Sequence, residues 1–211
     1  MIDKKTIYLD YQASTPVRPE VLTAMQPFYE ELYGNPHSSD HIKGWEANKA
    51  VENSRSKIVN AIKADLDEIV FTSGATEANN MILKGLEKHL RAVGKDTILV
   101  SSIEHKCVLE SAAYMKERGF QIAHVRPNSE GMITRAALED AISDKVGLVS
   151  VMLVNNEIGT IQPVQELAEV THENGALFHT DAAQAPVFLG IDVANLGIDF
   201  FRSLYYDDPV F

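Results

Sequence analysis

The chain has 211 residues, 45% hydrophobic and 23% charged, a length and balance that suit one substantial globular core. A net charge of −11 argues against a nucleic-acid-binding face, and no apolar stretch is long enough to cross a bilayer. The single cysteine, Cys107, excludes an internal disulfide and an all-cysteine metal site; with no leader-like start, the expectation is a cytoplasmic protein in a reducing compartment.

Residues 20–33 read as a helix that stops at the turn signal Gly34-Asn35-Pro36. Residues 43–63 form a second, longer helical pattern in which Trp45, Val51, Ile58 and Ile62 share roughly one face. Thereafter strands and helices alternate: strand 68–72, helix 75–92, strand 97–101, helix 105–118, strand 120–125 and helix 134–143. An apolar strand at 146–154, a helix at 163–174, a strand at 176–180 and a strand start at Ile198-Asp199-Phe200-Phe201 complete the series. Near-continuous apolar strands such as Val149 to Val154 suit a sheet covered on both faces. The expected fold class is therefore α/β, a mostly parallel sheet with helices on both faces, in one domain without repeats or linkers.

Ligands of such sheets bind beyond the carboxyl ends of the strands, so the residues just after each strand carry the functional information. After Ile69-Val70-Phe71 comes Thr72-Ser73-Gly74-Ala75-Thr76, a small polar turn opening a helix. Its free backbone N–H groups and the helix dipole favour an anion such as a phosphate. An ordinary helix start, with Ser73 as N-cap and Glu77 closing a loose capping box, fits the same residues. The other strand ends carry Glu104-His105, Asn155-Asn156-Glu157 and Asp181-Ala182-Ala183-Gln184. Four successive strand ends with small, amide or ionisable side chains point to one shared site. The set suits an organic phosphate with an aromatic ring: Asp181 for a protonated ring nitrogen, His105 for a ring face, Gln184 and Asn155 for ring oxygens or a substrate carboxylate. Each also has a structural reading, as a turn cap for Asp181, a helix cap for His105 and a partner of buried backbone for Asn155.

The blocks Tyr8-Leu9-Asp10-Tyr11-Gln12-Ala13-Ser14-Thr15-Pro16, Gly34-Asn35-Pro36-His37-Ser38 and Phe71 to Asn79 carry a family resemblance. So do Glu104-His105-Lys106, Asn155 to Thr160 and His179-Thr180-Asp181-Ala182-Ala183-Gln184, all in one order from about Tyr8 to Phe201. The chain resembles the cysteine desulfurases, pyridoxal-phosphate enzymes of the class V aminotransferase group with the type I fold of such transferases. Residues 101–110 look closest to the branch that supplies sulfur for iron–sulfur clusters. The resemblance implies pyridoxal 5'-phosphate as cofactor, with Ala75 and Thr76 on its phosphate and His105 stacked on its ring and helping to move protons. It implies Asp181 on the pyridinium nitrogen, Gln184 on the ring hydroxyl, and Asn155 orienting cofactor and substrate. It further implies L-cysteine as substrate, L-alanine and an enzyme persulfide as products, a homodimer, and iron–sulfur scaffold or sulfur-acceptor proteins as partners.

A departure follows Phe201. Where the family continues through a Ser-x-Ser-Gly-His-Lys motif, this chain reads Arg202-Ser203-Leu204-Tyr205-Tyr206-Asp207-Asp208-Pro209-Val210-Phe211. In an ungapped register Tyr206 stands at the histidine position and Asp207 at the lysine position, Ser203 is out of register for the phosphate-binding serine, and Val187 replaces a usual glycine. A carboxylate forms no imine, so Asp207 is no substitute. The expected organisation is residues 1–201 as the N-terminal segment and an incomplete cofactor-binding large domain, then 202–211 as an aberrant tail, from a frameshift, a truncation or a fold completed by another chain. The family's catalytic cysteine loop has no match, and Cys107 reads as a small buried thiol. The expectation is a cysteine desulfurase-like chain inactive alone; a selenocysteine lyase and a non-catalytic binding or interaction remnant are the alternatives.

Overall fold

A computed structural model describes residues 7–11, 14–185 and 189–203. Gln12, Ala13, Val187 and the segment containing Tyr206 and Asp207 lie outside the described residues.

Among the described residues five parallel strands form one sheet in the order β2-β1-β3-β4-β5. They are β1 (Thr97–Ser101), β2 (Gln121–Val125), β3 (Val146–Ser150), β4 (Leu177–Asp181) and β5 (Phe200–Arg202). Among the described residues seven helices accompany them: α1 (Pro19–Glu30), α2 (Ile42–Ile62), α3 (Ala75–Gly85), α4 (Glu87–Ala92), α5 (Lys106–Glu117), α6 (Arg135–Ala141) and α7 (Val164–Glu173). No described helix is long and apolar enough to cross a membrane.

The central strand β3 is buried along its whole length, as expected of a parallel sheet covered on both faces. Successive residues of a strand point to opposite faces, and here they feed two separate cores. Leu99, Val149 and Phe178 pack on one side with Leu138, Leu167 and Ile62. Ile98, Val100 and Leu148 pack on the other with Leu83, Val108 and Met115. The register places Val149 beside both Leu99 and Phe178, and Asp181 beside Arg202. Aligned partners share a face, so that last pairing brings two opposite charges together at the sheet's carboxyl end.

Local chemistry sets several helix boundaries. Proline opens α1, where its missing N–H costs nothing. The Nδ1 atom of His41 accepts from Gly44 N at 3.1 Å to start α2, which ends at Lys63 in the left-handed conformation. Thr134 Oγ1 accepts from Ala137 N at 3.2 Å to start α6.

Three expectations need correction. Residues 68–72 form no strand: Leu66–Glu68 closes a 3₁₀ turn, and the extended Ile69-Val70-Phe71 that follows has no paired neighbour among the described residues. A strand exists only with a partner, and Val70 and Phe71 stay 62% and 49% exposed. The helix expected over 75–92 divides at Leu86 into α3 and α4. The strand expected over 146–154 stops at Ser150, although Val151 N and Leu153 N still donate to His179 O and Asp181 O, at 3.1 and 2.9 Å. Between Ile69-Val70-Phe71, α3 and the outer edge of β5 runs an open apolar groove of about 960 Å³.

Candidate active site at the carboxyl end of the sheet

The turns that leave β1, β3 and β4 and the amino end of α3 surround a cavity of about 510 Å³. Ala75, His105, Asp181 and Gln184 line it, together with Asp10 and Arg202. It is smaller than the apolar groove, but it holds the ionisable groups, at the position where open α/β sheets bind ligands.

Helix α3 supplies the first wall. Its N-cap is Gly74, with no side-chain cap, and Glu77 folds back so that Oε2 accepts from both Ser73 N and Ser73 Oγ at 2.6 Å. Those hydrogen bonds hold the Glu77 carboxyl below its ordinary pKa, the Ser73 hydroxyl contributing most. The expected capping pair is therefore present in inverted form: Ser73 donates rather than caps. The first-turn N–H groups of α3 are left facing outward, a ready anion position. A Cβ on Gly74 would meet nothing within 4 Å, so the space before this helix end is open.

The second wall comes from the start of α5. His105 is its N-cap, and Nδ1 accepts from Cys107 N at 3.2 Å while lying 3.0 Å from Cys107 Sγ. Asn79 Nδ2 in turn donates to Cys107 Sγ at 3.1 Å and to Asp181 Oδ2 at 2.7 Å. A carboxylate accepts only, which fixes the amide's orientation and leaves the thiol as donor to His105. Burial pushes the Cys107 thiol up, against the Asn79 hydrogen bond, so it stays protonated at neutral pH. The thiol is a buried structural group and not a nucleophile.

Asp181 ends β4 and is the hub of the floor. Its Oδ1 accepts from Arg202 Nη1 at 2.8 Å and from Ala183 N at 3.0 Å, and its Oδ2 accepts from Asn79. Both members of the ion pair are buried, Asp181 4% and Arg202 2% exposed. Beneath them His179 bonds Ser150 Oγ through Nδ1 at 2.8 Å. Burial lowers its pKa to about 4, opposed by Asp181 and assisted by Arg202, so the ring is neutral. Glu104 is buried as well, its Oε1 accepting from Met152 N at 2.7 Å. Desolvation raises its pKa well above the usual carboxyl range, the Met152 N–H opposes, and the Asp181 charge raises it further.

Of the residues picked from the sequence, the cavity gathers Ala75, His105, Asp181 and Gln184. Thr76 is exposed and outside that lining, and its carbonyl accepts from Asn80 Nδ2 at 2.7 Å. Asn155 is also outside it, spent on its own loop: Oδ1 accepts from Glu157 N at 2.8 Å and Ile158 N at 3.0 Å, and Nδ2 donates to Ile103 O at 2.8 Å. The structural readings of Asn155 and His105 are thus realised, and for His105 the cap and the cavity position coexist. Sequence reasoning assigned no part to Asn79, Glu104 or Arg202. Asn79 did carry a signal, being a polar residue one helical turn before the fully buried Leu83. Arg202 carried another, a charge closing an apolar strand. No group of three or more metal-ligating side chains occurs among the described residues.

Comparison with known proteins agrees with this architecture. The family model described as Aminotransferase class-V matches residues 7–203. The mitochondrial cysteine desulfurases of Candida maltosa and Saccharomyces cerevisiae are 52% and 50% identical to this chain over 195 residues. The match takes in 92% of this chain but 40% and 39% of those relatives, so the chain spans less than half of their length. A solved structure described as SspA in complex with cysteine superposes with a TM-score of 0.89 at 40% identity, covering 95% of this chain and 57% of the other. These relatives correct the cytoplasmic expectation, because they are mitochondrial enzymes. A single cysteine cannot distinguish one reducing compartment from another. With residues 7–203 matched by its model, this chain belongs to the class V aminotransferase family, and the relatives it resembles at about half of its positions are cysteine desulfurases.

Proposed function

We propose that this chain forms the cofactor-facing part of the large domain of a cysteine desulfurase. The observation that carries the reading is the convergence of the α3 amino end, His105, Asp181 and Gln184 on one cavity at the carboxyl end of a parallel sheet. The family is dependent on pyridoxal phosphate, which supplies an electron sink for bonds at the amino-acid carbon. The open space before the uncapped α3 fits the phosphate of that group. The other end does not fit equally well, since both Asp181 oxygens are already engaged by Arg202, Ala183 and Asn79.

In this reading the backbone N–H groups of Ala75 and Thr76 hold the phosphate, and the exposed Thr76 hydroxyl turns toward it. The His105 ring lies against the ring face, its Nδ1 fixed by the Cys107 N–H and its Nε2 able to hold a proton. Gln184 bonds the ring hydroxyl, and Asn155 acts by holding the 155–160 loop that borders the cavity. The full-length reaction is proposed as conversion of L-cysteine to L-alanine with sulfur passed to an enzyme cysteine persulfide. That sulfur serves iron–sulfur cluster assembly, with homodimerisation and acceptor proteins as in the family. In an ungapped register the family's lysine position holds Asp207, and Cys107 is a protonated, buried thiol, so the chain alone is proposed to be inactive.

The test combines binding with turnover. The purified chain is titrated with pyridoxal phosphate by calorimetry, and with a competing excess of inorganic phosphate. Competition between the two, without sulfide release from L-cysteine, is the expected result. Sulfide release at a rate above free pyridoxal phosphate refutes the inactivity, and absence of any phosphate-competable binding refutes the pocket.

A further inference from the structure

Arg202 closes β5 and pairs in register with Asp181, the last residue of β4. Its side chain is 2% exposed, its Nη1 lies 2.8 Å from Asp181 Oδ1, and the residue lines the same cavity as Ala75, His105 and Gln184. Each Asp181 oxygen has a partner supplied by the protein itself: Arg202 and the Ala183 N–H on Oδ1, Asn79 on Oδ2. A carboxylate favours a protonated heterocycle nitrogen chiefly through a charge that nothing else compensates. Here the compensating charge is already in place, in a site too buried for solvent to screen it.

We infer that Arg202 is an internal counter-ion that occupies the ring-nitrogen position of the cavity, so that this chain recognises a phosphorylated heteroaromatic ligand by its phosphate and ring face alone. This rests on the cofactor-pocket reading given above and deepens it. The guanidinium neutralises Asp181 and takes up space at the cavity floor. A ligand with a pyridine nitrogen therefore gains nothing from that atom. Replacing Arg202 with a small neutral residue frees one acceptor position on Asp181 Oδ1 and uncovers the carboxylate's charge, while Asn79 and the Ala183 N–H keep the carboxylate oriented.

The experiment measures dissociation constants by calorimetry for pyridoxal phosphate, its analogue with carbon in place of the ring nitrogen, and inorganic phosphate. The proteins are the unaltered chain, Arg202→Ser, Arg202→Gln and Arg202→Lys, each checked for its fold by circular dichroism and thermal melting. For the unaltered chain the expected result is equal affinity, within about twofold, for pyridoxal phosphate and the carbon analogue. Arg202→Ser and Arg202→Gln are expected to bind pyridoxal phosphate at least tenfold tighter, with the gain absent for the carbon analogue and for inorganic phosphate. Arg202→Lys is expected to behave as the unaltered chain. A tenfold or greater preference of the unaltered chain for pyridoxal phosphate over the carbon analogue overturns the inference, with no variant needed. Equal affinity of the unaltered and Arg202→Ser chains for pyridoxal phosphate overturns it too, and leaves the pocket reading standing. No binding of phosphate or pyridoxal phosphate by any of them overturns both.

Discussion

Removing one member of the Asp181–Arg202 pair is predicted to cost far more on one side than on the other. Asp181→Ala leaves the guanidinium of Arg202, 2% exposed, without its counter-charge, and strips Asn79 of its acceptor at 2.7 Å. Breaking a buried pair in this way costs about 3–5 kcal/mol. Arg202→Met instead leaves a carboxylate that still accepts from Asn79 and from the Ala183 N–H at 3.0 Å. Hydrogen bonds to a charged group are worth about 1.5–3 kcal/mol each, so the two that remain limit the loss to about 1–3 kcal/mol. With Asp181→Ala and Arg202→Met combined, no buried charge is left at this point, and the loss is expected to fall below the sum by about 2 kcal/mol. Urea unfolding of the four proteins, followed by far-ultraviolet circular dichroism at constant slope, measures each term. Out of a total stability of about 5–15 kcal/mol, the Asp181→Ala loss is large enough to move the midpoint visibly. A loss under about 1 kcal/mol for Asp181→Ala, or strict additivity around the cycle, refutes the claim that these charges are buried against each other.

Three further outcomes follow, two from the same buried site and one from α2. His179 has a folded-state pKa of about 4, below its ordinary 6.5, so the unfolded chain binds more protons between those values. The contribution of neutral His179 to stability is therefore present above pH 6.5 and lost as pH falls toward 4, and His179→Gln is expected to flatten the pH–stability curve in that window. Glu104 has the opposite sign: its raised folded-state pKa makes the folded chain hold a proton that the unfolded chain releases above pH 4.5. Glu104→Gln, which keeps the acceptor for Met152 N, is expected to raise the melting temperature more at pH 8 than at pH 5, and an equal change at both refutes the burial argument. In α2, Gly44→Ala is expected to destabilise although alanine is the better helix former by about 1 kcal/mol, because the added Cβ would collide with the Ser38 backbone oxygen. A higher melting temperature for that variant contradicts the packing of Ser38 on α2.

The amino-acid sequence by itself determined the α/β alternation, the parallel sheet and the strand ends that face the site. It did so because hydrophobic periodicity and turn residues act within a few residues of one another. That Asp181, His105, Gln184 and Ala75 gather at one cavity was legible for that reason, each placed by the strand or helix immediately beside it. Tertiary structure decided whatever depended on a neighbour distant in sequence. Ile69-Val70-Phe71 has the composition of a strand, yet no strand lies alongside it among the described residues, and the backbone alone cannot supply one. Asn155 has the chemistry of a ligand-binding amide and is consumed by the N–H groups of its own loop. The state of Asp181 was settled by residues 102 positions before it and 21 after, Asn79 and Arg202. A buried carboxylate takes its character from whichever donors the folded chain brings to it, and that is a property of three-dimensional register rather than of any local run of residues.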